Sequence, residues 1–396
     1  MRTALLSALE PADGGGLRAE LSLAGRSVLS WQASLALELG CERILCLCDA
    51  PNPAILACQR EIEAGAQFHA VRSLHQLVAL CRAGDMALVL ADGLLPEPSV
   101  VAVLVEAEDR WRRGIWTVPV EHPAIADRAD TFERIDASRR WAGLSVVGAE
   151  IVARIADGPA DGDALAILLR LGLQAKIACR PLPEEVLSQG QWQVAARAAN
   201  IEAREVQLVR TALPMPPFAA PLRALATLAA RSIGAANAAR GRVLASLVGI
   251  AALVLGAVLI AWQQTAAGLA FAAAKLFAAD IAEACERLQA RIWSAGEAVR
   301  WTRVRMLGGA SVAAALLCFA LVQEGALDAR LALPLLMLGL AHLASVKAGS
   351  AAAFWNDRAT HFLLFALAAS FGALAEALAL LGLGALTSIL LKGYRR

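Results

Sequence analysis

The chain has 396 residues, 58% of them hydrophobic, with a mean hydropathy of +0.56. Its 37 basic and 35 acidic residues leave a net charge of +2, which excludes the strong single-sign field of a nucleic-acid-binding surface. The apolar excess falls mostly after residue 242, so two regions with different solvents are expected, an α/β domain first and a membrane domain after it.

The first apolar run, 4–9, is too short for a signal peptide and soon meets Glu10 and Asp13, which places the N-terminal domain on the cytoplasmic side. From there to about residue 210, β-rich runs alternate with helical ones. Strands are expected at 3–9, 43–48, 87–91, 115–120, 142–147 and 176–181, and helices at 28–39, 53–64, 73–83, 98–112, 150–155 and 163–173. Such alternation implies a Rossmann-like, mostly parallel sheet covered on both faces. The eight cysteines, including Cys46 and Cys48 on one face of a strand, lack paired spacing and read as buried thiols rather than a disulfide framework or zinc site.

Ligands of such sheets bind beyond the carboxyl ends of the strands. Two segments reach that edge. One is the turn Pro11-Ala-Asp-Gly-Gly-Gly-Leu-Arg18, where the backbone at Gly14, Gly15 and Gly16 can face a phosphate and Arg18 can assist; a plain flexible turn is the alternative. The other is the buried strand Ala87-Leu-Val-Leu-Ala-Asp-Gly, which delivers Asp92, a carboxylate suited to a Mg²⁺ ion bridging nucleotide phosphates.

Pro214, Pro216, Pro217 and Pro221 end the soluble domain, 1–212, and open a linker, 213–242, whose alanine-rich stretch with Arg223, Arg231, Arg240 and Arg242 reads as an amphipathic juxtamembrane helix. The membrane domain, 243–396, contains apolar runs at 243–262, 266–285, 306–322, 331–346, 360–373 and 375–391, the last two divided near Gly372. Lysine and arginine concentrate before the first run, after the second and fourth, and in the tail, so six spans with both termini in the cytoplasm satisfy the positive-inside rule. Lys275, Asp280, Glu283, His342, His361 and Glu376 fall within these runs, where ionisable groups mark function by default.

The glycine turn, Asp92 and the run Leu21-Ser-Leu-Ala-Gly-Arg-Ser-Val-Leu-Ser-Trp-Gln32 resemble the sugar-phosphate nucleotidyltransferase family over roughly residues 1–210. That family carries a lysine before the segment matching Leu21 and a late Asp-Val-Asp; here Arg18 is the nearest cation and the late segment reads Trp192-Gln-Val-Ala-Ala196. A nucleotidyltransferase-like domain followed by spans resembles the enzymes fused to a CDP-alcohol phosphatidyltransferase domain, whose motif is D-x2-D-G-x2-A-R-x8-G-x3-D-x3-D. Here Asp280-Ile-Ala-Glu283 and Gly296 correspond, whereas Arg300, Arg303 and Arg305 stand in the stretch of the later aspartates.

The resemblance implies a membrane protein of polar-lipid headgroup biosynthesis in a bacterial inner membrane. Its partners would be membrane lipid and a nucleotide, CTP or CDP-alcohol, and it would form a homodimer. Asp92, Asp280 and Glu283 would be catalytic and hold Mg²⁺; Gly14, Gly15, Gly16, Arg18, Arg287, Arg300 and Arg303 would hold phosphates. The departures favour a competing reading as a non-catalytic scaffold or lipid- and nucleotide-binding subunit. A transporter built on Lys275, His342 and Glu376 is a third reading, without an internal repeat to support it.

Overall fold

The structure is a computed structural model of the chain and describes residues 1–107, 110–123, 132–159, 162–293, 327–347 and 351–394. These residues fall into two units, Met1–Glu205 and Val206–Arg396.

In the first unit seven short apolar runs form one sheet: β1 (Arg2–Ser7), β2 (Arg43–Leu47), β3 (Gln67–Val71), β4 (Met86–Leu90), β5 (Gly114–Pro119), β6 (Arg139–Gly148) and β7 (Cys179–Pro181). Across the sheet they lie in the order β7-β5-β6-β4-β1-β2-β3. The pairs β1–β2, β1–β4, β2–β3 and β5–β7 are parallel, whereas β6 runs antiparallel to both β4 and β5. From β1 the chain moves outward through β2 and β3, then returns to the other flank of β1 with β4. That reversal opens a crevice at the carboxyl ends of β1 and β4.

Helices α1 (Val28–Glu38), α2 (Pro53–Ile62), α3 (Leu74–Leu80), α4 (Pro98–Val105), α5 (Ala149–Ala153), α6 (Ala164–Gln174), α7 (Glu184–Ser188) and α8 (Ala198–Ala212) connect or follow the strands. Their starts are chemically marked: Ser27, Asn52, Ser73 and Asp163 each accept a hydrogen bond from a backbone N–H in the first turn they precede. Strand side chains alternate between two cores. Leu6, Ile44, Leu88 and Val146 pack with Leu29, Ile55 and Val101 on one face; Leu5, Leu45, Val89 and Val147 pack with Leu77, Ile151 and Leu168 on the other. The sheet is thus covered on both sides, as the alternation of strands and helices implies.

Among the differences from the expected elements, two bear on the sheet and its connections. Strand β3 has no counterpart among the expected strands, because its buried Phe68 and Val71 are interleaved with polar Gln67 and His69 and give no continuous apolar run. The helix expected at 98–112 stops at Val105, and Glu106–Ala107 pairs antiparallel with Arg110–Trp111 instead.

The second unit is helical: α9 (Pro221–Ala261), α10 (Thr265–Trp293), α11 (Leu327–Lys347), α12 (Ala352–Asn356), α13 (Arg358–Ser370) and α14 (Leu374–Tyr394). Among the described residues, three helical stretches are long and apolar enough to cross a membrane: Pro221–Ala261, Thr265–Ala290 and Leu374–Leu391. Pro334–Lys347 is a shorter apolar helix, and the run at 306–322 lies outside the described residues. Gly372, at φ +70°, separates α13 from α14 where the long apolar stretch was divided.

Helices α9 and α10 pack antiparallel through small residues. A side chain at Gly256 would meet the Gly268 carbonyl oxygen at 3.0 Å, one at Gly249 would meet Ala278 at 3.5 Å, and one at Gly241 would meet Cys285 Sγ at 3.3 Å. Such close backbone approach replaces the hydrophobic driving force that lipid cannot supply. Leu244, Leu247, Val248 and Val254 of α9, with Leu380, Leu383 and Leu390 of α14, are exposed. The fully buried Asp357 joins two helix starts. Its Oδ1 accepts from Thr360 N–H at 3.2 Å, and its Oδ2 accepts from Leu222 N–H at 3.0 Å and Arg223 N–H at 3.3 Å.

Candidate site at the crevice of the sheet

Four segments meet at the carboxyl ends of β1 and β4. Past β1 the backbone turns, and the N–H groups of Leu9 and Glu10 both donate to Asp92 Oδ2 at 2.8 Å. Asp92 follows β4 and is 4% exposed; its Oδ1 is buried with no hydrogen-bond partner. Burial pushes the carboxyl up to about 6, against the opposing pull of the Glu10 and Leu9 N–H groups and of the nearby Arg18. A buried acceptor left over beside one that takes two hydrogen bonds is a place for a donor or a cation.

The glycine turn lies beyond Leu9 and Glu10. Ala12 N–H donates to the Gly16 carbonyl at 3.0 Å, Gly15 N–H donates to the Ala12 carbonyl at 3.0 Å, and Gly15 and Gly16 adopt φ +93° and +73°. All three glycines are exposed. Arg18 is turned to its own loop: Nε donates to the Pro11 carbonyl at 3.2 Å, and Nη2 stands 3.8 Å from Glu10 Oε2. Its guanidinium therefore reinforces the turn and places positive charge near Asp92.

The segment after β7 closes the crevice. Trp192–Val194 pairs antiparallel with Leu94–Pro96, Ala195 N–H donates to the Gly93 carbonyl at 2.7 Å, and Asp13 N–H donates to the Ala196 carbonyl at 3.1 Å. Arg197 is ion-paired with Asp13. The run Trp192–Ala196 thus touches both the Asp92 edge and the glycine turn, and it brings Ala195 and Ala196 rather than a carboxylate. Gly93 sits at φ +74°, with the Ala195 carbonyl oxygen 2.8 Å from where a Cβ would be. Gly93→Ala should lower stability by about 2 kcal/mol or more, from the left-handed backbone and the clash together. Thermal unfolding of the full chain measures the loss.

Two groups at this site were given no role from sequence. Gln32, fully buried on α1, donates through Nε2 to the carbonyls of Ala91 at 2.8 Å and Leu94 at 3.0 Å, and so holds the backbone on either side of Asp92. A glutamine inside an otherwise apolar helical run was the available signal. Glu20 accepts from Leu17 N–H at 2.8 Å and from Asn52 Nδ2 at 2.9 Å, tying the glycine turn to the start of α2.

The other sequence candidates lie in the second unit. Asp280 and Glu283 stand on α10, where Glu283 Oε1 accepts from Arg287 Nη2 at 2.9 Å. Asp280 is half-buried, and Arg223, Glu283, Asp357 and Arg287 are its charged neighbours. Arg300 and Arg303 lie outside the described residues. Among the described residues, no group of three or more His, Cys, Asp or Glu side chains could hold a metal ion. No protein-family model matches the chain, and no curated protein matches it.

Proposed function

We propose that this is a membrane protein of polar-lipid headgroup biosynthesis. Its first unit takes a nucleotide, CTP or a CDP-alcohol, at the sheet crevice, and its second unit works on a lipid headgroup. The observation that carries the reading is Asp92: a buried carboxylate at the point where strand order reverses, with Oδ2 fixed by two backbone N–H groups and Oδ1 unpartnered beside an exposed glycine turn. The exposed backbone at Gly14, Gly15 and Gly16 suits the phosphates.

One protein carboxylate, completed by nucleotide phosphates, is an ordinary coordination for Mg²⁺, so Asp92 Oδ1 fits that ion. Mg²⁺ bound there would neutralise phosphate charge. Asp280 and Glu283 fit it poorly, since Arg223 and Arg287 already supply positive charge to them; a phosphorylated headgroup matches that mixture better. Placement in a bacterial inner membrane, six spans, both termini in the cytoplasm and a homodimer belong to the same proposal. The distribution of arginine and lysine between the apolar runs supports the orientation.

A specific observation favours a second reading, a nucleotide- and lipid-binding subunit without transferase activity. Ala195 and Ala196 occupy the segment facing Asp92, and Arg18 is engaged with Pro11 and Glu10. Full-length protein in nanodiscs, given CTP, Mg²⁺ and a panel of alcohol phosphates, separates the two. Pyrophosphate release abolished by Asp92→Ala supports the enzyme; Mg²⁺-dependent CTP binding without release supports the binding subunit. Neither release nor binding overturns both.

A further inference from the structure

Helix α9 is not one rod. Gly234 interrupts it at φ +72° and ψ 169°, a conformation open to glycine, and splits it into limbs 221–233 and 235–261. The contacts of the first limb fix where it goes. Ile233 lies against Gly241, its Cγ2 2.9 Å from where a Gly241 Cβ would be. The chain therefore doubles back at Gly234 instead of bending outward.

The other end of the limb gives the depth. In the antiparallel register of α9 with α10, Gly249 meets Ala278 and Gly241 meets Cys285, which sets Asp280 opposite about Ser246. Asp280 has Arg223 and Asp357 as charged neighbours, and Asp357 caps the backbone N–H groups of Leu222 and Arg223. Leu222 also packs on the apolar cluster containing Ile260, Leu269, Phe362 and Phe365. Leu222 precedes Gly234 by as many residues as Ser246 follows it, about 18 Å of helix in each direction. The stretches on either side of Gly234, 222–234 and 234–246, match in length, as a helical hairpin requires.

Residue 246 lies inside the apolar run that begins at Val243, so the start of the limb reaches membrane depth. Along the limb and just before it, Met215, Phe218, Leu225 and Leu228 are exposed, and Phe218 is fully so. Leu225 and Leu228 share one helical face, opposite the buried Ala226 and Ala230. A helix lying flat along the headgroups, the expectation from composition, would not bring Leu222 and Arg223 to the depth of Asp280.

We propose that residues 215–233 form a re-entrant limb of the membrane domain, its start entering the bilayer beside the first span with Phe218 and Leu225 against lipid acyl chains. Continuity with the exposed Leu244, Leu247 and Val248 of the same helix gives the occupant as lipid. The limb carries Arg223 and two helix starts to Asp280, so the polar cluster is assembled at the edge of the hydrocarbon layer. The inference needs the second unit to be embedded in a bilayer and is independent of what the first unit binds.

Full-length protein in nanodiscs of phosphatidylethanolamine and phosphatidylglycerol, doped with a phospholipid bearing a mid-chain diazirine, tests it. After photolysis and tryptic peptide mass spectrometry, the part 215–225 of the peptides covering 211–231 should carry adducts at a per-residue density within about threefold of 243–261. Adducts on 243–261 with none on 211–231 would overturn the limb, whether water or protein covers it. No adducts on either segment would overturn the membrane placement itself.

Discussion

Between pH 4 and pH 6 the ligand-free protein should lose stability as pH rises, and Asp92→Asn should remove that slope. The Asp92 carboxyl is raised from 3.8 to about 6, chiefly because burial penalises its charged form. Within that interval the native state retains a proton that the unfolded chain has released, so stability falls with rising pH and levels off above about 6. A shift of this size corresponds to about 3 kcal/mol. Asparagine cannot ionise, yet it keeps an oxygen for the N–H groups of Leu9 and Glu10. Asp92→Ala keeps none, and stranding two N–H groups should cost about 2–6 kcal/mol. Thermal unfolding midpoints across pH 4.5–8, compared for the natural protein and both variants, check the sign. An identical slope in Asp92→Asn would assign the pH dependence elsewhere. Mg²⁺ with CTP should favour the ionised carboxylate and stabilise the natural protein most above pH 6.

The second large effect is expected at Arg204→Ala. Arg204 is 1% exposed on α8; its Nη2 donates to Glu97 Oε2 at 3.0 Å and its Nη1 to the Gly190 carbonyl at 3.2 Å. Burial lowers its proton affinity while Glu97 opposes that change, so the charge is kept by the pair. Removing the guanidinium leaves Glu97 largely buried beside a vacated cavity, a loss of about 3–5 kcal/mol. The combination Arg204→Met with Glu97→Gln should lose clearly less than the sum of the single changes, because neither partner is then left with an uncompensated charge. Chemical denaturation of the four proteins closes the cycle, and simple additivity would remove the ion pair as the cause.

The sheet was legible where the sequence offers short apolar runs, which covers β1, β2, β4, β5, β6 and β7. Strand β3 was not, since Gln67 and His69 give it a mixed surface. Asp92 could be placed at a strand end because Ala87–Leu90 is apolar and Gly93 follows it. The partners of Asp92 could not be read: Leu9 and Glu10 contribute main-chain N–H groups, which carry no side-chain signature. Gln32 required knowing that α1 passes beside the backbone after β4.

In the membrane half, hydropathy marks apolar runs and misses their turns. Gly234, Gly241, Gly249 and Gly256 are the same letter in one helix, yet Gly234 breaks it while the others admit a neighbouring chain. Only backbone conformation separates those uses. Composition therefore joined 222–242 into one amphipathic segment, although the chain reverses within it.

Asp357 has a consequence for the order of assembly. Its Oδ2 completes the start of α9, 135 positions earlier at Leu222, and its Oδ1 accepts from Thr360 N–H at the start of α13. At about 5–20 residues per second of synthesis, the N–H groups of Leu222 and Arg223 wait on the order of ten seconds for their acceptor. Until then the first limb has apolar sides and an open polar tip, a combination poorly suited to hydrocarbon. The limb should consequently settle after the rest of the domain, making the first of that domain's helices to emerge from the ribosome among the last to reach its final position.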